Sequence, residues 1–301
     1  MLEGQCSNWG SVISAAVYVS LMDGRIVSDE YDLFGQGLEK PLEMISKFHE
    51  RMEKEGRCKL DVVFTTSAVR NVAEAHIYPF NALRNKALQL SQTEPSASDT
   101  VTKPAHYYQL RRDTALRRRV LTHMFMRGQL EGFHVDHFFV GQGIVDYPRW
   151  VKANESYPIP FQEGVEPYVL RRFVPWCDER FRGYGFDKVI HFLHMHSLGL
   201  QFRSCSQGYA VHTPHPECTA FSVTQATGQW NKLLQLYSAC RAEMVACTFV
   251  PATSFACASG NPEVLLQSYH TARHGMTRGS LPATLGSAGL CIAHCQCISS
   301  A

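Results

Sequence analysis

Two β-rich apolar runs, residues 12–19 and 60–66, bracket an amphipathic stretch, and this succession restricts the fold more than any other feature of the chain. Between them Leu42, Ile45, His49 and Met52 recur at helical spacing, with Pro41 suited to a first turn and Gly56 to a stop. A right-twisted strand feeding a helix returns to its sheet by a right-handed crossover, so the pattern predicts a parallel strand pair in an α/β domain. A third apolar and aromatic run, 133–140, reads as another strand of that sheet. Tyr78-Pro79 leads into a helix over about 81–90, with Leu83, Ala87 and Leu90 toward the core and Arg84 toward a ligand. A second amphipathic helix is expected over 229–244, with Leu233, Leu236, Tyr237 and Cys240 on one face.

Chemistry-bearing residues concentrate between Gly164 and His215, at loop-like positions between apolar runs. Gly183-Tyr184-Gly185-Phe186-Asp187-Lys188 places two glycines around an aromatic residue, which permits positive φ and lets Tyr184 and Phe186 press against a flat ligand such as a sugar ring. Asp187 leaves that loop just before Val189-Ile190, where a carboxylate either accepts a proton from a hydroxyl or caps the next helix. His212-Thr213-Pro214-His215 follows the strand-like Tyr209-Ala210-Val211, and alternation lets one of the two histidines, not both, act as a metal ligand. A competing arrangement, His191, His194 and His196, lacks the His-Glu-x-x-His order of a metallohydrolase.

The block Glu166-Pro167-Tyr168-Val169-Leu170-Arg171-Arg172, then Asp178-Glu179-Arg180-Phe181 with Gly183 to Val189, then His212-Thr213-Pro214-His215, resembles glycosyltransferase family 49, the LARGE-type and beta-1,4-glucuronyltransferase family. The segments 78–85 and 141–150 resemble it too, so the likeness covers most of 13–236. It implies a GT-A-type, Rossmann-like domain over 1–250, with a mostly parallel mixed sheet flanked by helices. It further implies inverting, Mn²⁺-assisted transfer of a sugar, glucuronic acid first, from a UDP-sugar to a glycan or glycoprotein acceptor in the Golgi or secretory pathway. In that frame Asp187 is the base and Glu166 the next carboxylate. Arg84, Arg171, Arg172, Gly183, Tyr184, Gly185, Phe186 and Lys188 meet donor or acceptor, and His212 or His215 completes the metal shell.

Two departures accompany the resemblance. Where the family carries a strand ending in Asp-x-Asp, residues 91–103 form a polar, proline-containing stretch, and no Asp-x-Asp occurs in the sequence. An internal deletion there, and a truncated start lacking the family's membrane anchor, are the expectations, and with them a non-catalytic relative that at most holds a glycan.

Charge adds little: 29 basic against 27 acidic residues leave a net +2, with no field suited to nucleic acid or a membrane surface. The basic run within 110–126 carries no interleaved aromatic ladder for base stacking and reads as a solvated helix face. Eleven cysteines without paired CxxC units exclude a zinc ribbon. With the sequon Asn154-Glu155-Ser156 they fit a secretory setting. Residues 251–301 turn small, polar and glycine-scattered and are expected to pack poorly.

Overall fold

The computed structural model describes residues 3, 6, 12–27, 35–90, 114–132, 135–166, 168–170, 175–212, 218–254 and 290–297, with backbone alone for 114–117, 168–170, 205–212 and 290–297. In chain order the elements are β1 (Val12–Met22), β2 (Arg25–Val27), α1 (Glu39–Lys54), β3 (Lys59–Ala68), α2 (Val72–Ala75), α3 (Phe80–Leu90) and α4 (Thr114–Met126). There follow β4 (Glu131–Gly132), α5 (Phe139–Gln142), α6 (Tyr147–Lys152), β5 (Pro158–Ile159), β6 (Tyr168–Leu170), α7 (Asp187–Ser197), β7 (Phe202–His212), α8 (Thr219–Ala226), α9 (Gln229–Val245) and β8 (Leu290–Cys297). Among the described residues the fold is thus mixed α/β, built on two small sheets.

The first sheet has the order β2-β1-β3, and β1 and β3 run parallel in unbroken register from Val12↔Lys59 to Leu21↔Ala68, as the strand–helix–strand pattern predicts. Asp23 and Gly24 both take positive φ (51° and 75°), the two-residue hairpin geometry that turns β1 into β2. Helix α1 covers one end of this sheet, burying Met52 with Leu60 and the Cys6–Cys58 disulfide, against which Phe48 and Ile13 pack. Met52, expected on the inward face of α1, is buried there with Phe48 one turn before it, whereas Leu42, expected on the same face, stays 45% exposed.

Helix α3 docks on β1 and β3 through an unexpected face. Its fully buried residues are Asn81 and Asn85 rather than Leu83, Ala87 and Leu90, which are only partly covered. The reason is the irregular chain at 177–179, which belongs to no sheet ladder among the described residues. Asn85 donates to the Cys177 carbonyl and to Glu179 Oε1 at 2.8 and 2.9 Å and accepts from the Cys177 N–H at 2.8 Å. Asn81 donates to the Asp178 carbonyl at 2.8 Å. A primary amide satisfies an orphan peptide as another peptide would, and a leucine cannot.

The second sheet runs β4-β8-β7-β5, with β6 also on β8. One expectation fails here. Residues 135–140 are turn and helix, not a strand of the first sheet, because the aromatic run ends on glycines that let its rings fold back. A Cβ on Gly141 would lie 2.0 Å from the Phe138 ring, and one on Gly143 2.7 Å from that of Phe139. Residues 290–297, within the stretch expected to pack poorly, form β8, parallel to β7 and bonded to β4 and β6.

Helix α7 is the central helix. One side packs Phe192 and Met195 against Tyr157, Ile159, Val165 and Phe202; the other packs Ile190 against Phe181 and the α9 residues Leu233 and Cys240. The amphipathic reading of α9 therefore holds.

Candidate functional site

The start of α7 is fixed by backbone that only a glycine-rich segment tolerates. Gly183 and Gly185 have φ of +82° and +115°, and Phe186 follows at +60°. A Cβ on Gly185 would sit 2.7 Å from Trp230, and one on Gly183 3.1 Å from Thr224 Oγ1, so α8 and α9 press directly on the loop. The Gly183 N–H donates to the Tyr78 carbonyl at 2.8 Å and the Tyr184 N–H to Thr224 Oγ1 at 3.1 Å. The loop is thereby tied to the segment that precedes α3.

That tie brings side chains from four places together. Asp187, the first residue of α7, is 6% exposed and receives Arg84 Nη1 of α3 at 2.5 Å; the same nitrogen donates to Asn81 Oδ1 at 2.7 Å. Next to Asp187, Lys188 reaches Glu166 Oε2 at 3.4 Å. Gln142 of α5 donates to Glu166 Oε1 at 3.5 Å, and the Glu166 N–H donates to the Gly141 carbonyl at 3.1 Å. Burial raises the Glu166 carboxyl above the ordinary carboxylate range; Lys188 opposes the rise and the negative charge of Asp187 adds to it, so the two carboxylates sense each other. One helical turn beyond Asp187, His191 has a buried Nδ1 with no hydrogen-bond partner among the described residues. Burial foremost, then His194 and Arg84, push its pKa down to about 3 while Asp187 acts the other way, so the imidazole is neutral near pH 7.

The residues singled out from sequence thus divide. Arg84, Glu166, Asp187 and Lys188 converge, and Gly183 and Gly185 position them. Tyr184 is 42% exposed, edge-on to Phe221 at 5.0 Å. Phe186, expected to face a ligand, instead packs between Trp230 and Tyr237, with ring centroids at 4.9 and 5.3 Å. Arg171, Arg172 and His215 lie outside the described residues, and His212 is described only as the last backbone position of β7. The histidines of α7 do not converge: His194 lies edge-on to Phe249, while His196 stacks flat on Phe161 at 4.0 Å. Among the described residues no three His, Cys, Asp or Glu side chains assemble to hold a metal ion, and Asp187 and Glu166 are each engaged by a cationic side chain. The described donor set does not fit Mn²⁺.

Sequence reasoning missed Gln142 and the Asn81/Asn85 pair, and took up His191 only as part of a metallohydrolase arrangement. The i, i+4 spacings of Asn81 with Asn85 and of Asp187 with His191 were the available signal, since each pair shares a helix face.

Comparison with known proteins gives this cluster its context. Residues 104–237 match the family model described as glycosyl-transferase for dystroglycan. The chain is 26% identical over 243 residues to the xylosyl- and glucuronyltransferase LARGE1 of Mus musculus, covering 75% of this chain and 30% of that protein. Beta-1,4-glucuronyltransferase 1 of Bos taurus is 28% identical over 172 residues, covering 54% of this chain and 41% of that protein. The human counterpart is 29% identical over 153 residues, 48% of this chain and 37% of its own length. The chain therefore spans less than half the length of these relatives. Glu166, Asp187 and Lys188 all fall inside the matched segment, and through that segment the chain is similar to the dystroglycan-type glycosyltransferases and to the LARGE-type proteins.

Proposed function

We propose that the chain is a sugar transferase that moves glucuronic acid, or the chemically close xylose, from a UDP-sugar to a glycan acceptor in the secretory pathway, with inversion and on a GT-A-type domain. The observation that carries this reading is the pairing of a half-buried, proton-attracting Glu166 with Lys188 inside the segment matched to the family model, next to the Arg84–Asp187 pair. The acceptor hydroxyl attacks the anomeric carbon, the bond from that carbon to the UDP oxygen breaks, and the hydroxyl proton passes to a carboxylate. Glu166 suits that role better than Asp187. Its raised proton affinity brings it closer to working pH, whereas Asp187 is held in a 2.5 Å ion pair with Arg84. Lys188 and Arg84 are the cations available to a diphosphate or a uronate carboxylate. Asp187 then orients Arg84.

The test is transfer of radiolabel from UDP-glucuronate and from UDP-xylose by the purified chain, with UDP binding followed separately by calorimetry. Glu166→Gln is expected to lower turnover by roughly 10²–10⁴ while UDP still binds. A Glu166→Gln variant as active as the parent assigns the base elsewhere.

One observation favours a second reading, a relative that binds glycan without transferring sugar: the sequence contains no Asp-x-Asp. Without a carboxylate pair the leaving diphosphate loses a stabilisation worth several kcal/mol. Absence of both UDP binding and label transfer is the outcome of that reading, and micromolar UDP binding with robust turnover rejects it.

A further inference from the structure

Asn154-Glu155-Ser156 is the only Asn-x-Ser/Thr sequon in the chain, and nothing in the transferase reading uses it. It forms the bend between α6 and β5, with Asn154 and Glu155 exposed and Ser156 half-buried. We propose that Asn154 carries an N-linked glycan that covers the free edge of β5.

Three observations support the assignment. A modified asparagine must end up on a surface that accommodates a bulky, hydrophilic group, and this bend does so without unpacking a core residue; the first buried position after it is Tyr157. Second, the Cys6–Cys58 disulfide belongs to an oxidising compartment, the same lumen in which sequons are glycosylated. Third, the folded sequon is held by a residue that is made later. Arg203 of β7 donates through Nε to Ser156 Oγ at 3.3 Å and through Nη2 to the Ser156 carbonyl at 2.8 Å, across 47 residues of sequence. While the sequon first emerges, Arg203 has not followed, so the Ser156 hydroxyl is available for recognition. In the modification the amide nitrogen of Asn154 displaces the pyrophosphate of a lipid-linked oligosaccharide at its first anomeric carbon and gives up one proton.

The position has a physical consequence. β5 is the terminal strand of the second sheet, bonded to β7 on one side, and among the described residues nothing pairs with its other side. An unpaired strand edge is a template for pairing with another chain, and a glycan four residues before Pro158 obstructs that approach.

The inference needs passage through the lumen and not transferase activity, so its test is independent of the one above. The full chain is secreted from cultured animal cells behind a cleavable leader and treated with PNGase F in ¹⁸O water. The expected result is a single mobility step that collapses on treatment, with the isotope tag confined to position 154. Asn154→Gln removes the step and Ser156→Thr keeps it. Secreted protein whose intact mass is that of the bare chain overturns the proposal, and the enzymatic arm decides it even if Asn154→Gln is not secreted. For the covering role, native protein freed of glycan is expected to develop light scattering faster than untreated protein; equal scattering overturns that part.

Discussion

At the residue scale the cluster is governed by burial of charge. Asp187 is nearly covered, in the first turn of α7, and it is paired there with Arg84. Arg84→Ala leaves a covered carboxylate without its counterion, so a loss of about 2–4 kcal/mol is expected in urea unfolding. Adding Asp187→Asn should recover part of that loss, because the uncompensated charge disappears with it. Strict additivity of the two changes would show that the pair is not coupled. The histidines act through pH. Burial holds His191 and His194 at about 3 and about 4, below the usual 6.5, so on acidification the unfolded chain binds protons that the folded chain refuses. Stability is complete above pH 6.5 and falls as pH drops through the window down to those values. For His194 alone the loss is about 2 kcal/mol between pH 7 and pH 5. His194→Phe, which keeps a ring against Phe249, should flatten the decline by that amount; an unchanged slope would place the acid sensitivity elsewhere. Glu166 has the opposite sign: its raised proton affinity favours the folded state at low pH, and that contribution is lost as pH rises through its folded value.

At the element scale the loop before α7 is the most constrained piece of backbone in the site. Gly185→Ala combines a strained φ of +115° with a Cβ 2.7 Å from Trp230, while Gly199→Ala, at φ +77°, meets nothing within 4 Å. The second isolates the backbone cost, roughly 1–2 kcal/mol. The first is expected to exceed it by at least about 1 kcal/mol, with loss of UDP binding as α7 shifts; equal costs by chemical denaturation would mean that Trp230 simply moves aside. This loop was legible in the sequence because glycine spacing reports directly on allowed φ. The parallel β1–β3 pair was legible for a similar reason, since apolar runs around a helical period admit few arrangements. The Asp23-Gly24 hairpin carried a plain signal that went unread. The run 133–140 misled because its composition suits a strand, while the glycines that fold Phe138 and Phe139 back lie at its end and just beyond it. Nor does composition show that Phe186 is needed against Trp230 and Tyr237 rather than at a surface. Asn81 and Asn85 are buried by their hydrogen bonds to 177–179; their i, i+4 spacing reports a shared helix face, but not the requirement, created nearly a hundred positions away, that buries that face.

At the scale of the whole molecule, the two sheets differ in how far apart their partners lie in the chain. The first closes within residues 12–68, whereas β7 waits for β8 at 290–297, a pairing that no periodicity near either strand announces. Because β1 and β3 run parallel, their starting ends lie side by side, and Cys6 and Cys58 precede those ends, so the bond between them joins the entrances of both strands beneath Met52 and Leu60. Closing a loop with a sequence separation of 52 removes denatured-state entropy worth about 4 kcal/mol in the chain-entropy account, a large fraction of the stability of an ordinary domain. Cys6 and Cys58 are also 0% and 6% exposed, so a reductant should reach the bond only through local opening and act slowly on native protein. Cys6→Ser/Cys58→Ser is therefore expected to unfold at markedly lower urea concentration than the oxidised parent, and the parent should match the variant only after reduction in denaturant. A free-thiol count on unfolded, unreduced protein separates this from a simple packing defect. If both cysteines titrate as thiols, the first sheet is held by α1 and β3 packing alone and the difference in midpoint should shrink to that of two buried Cys→Ser changes.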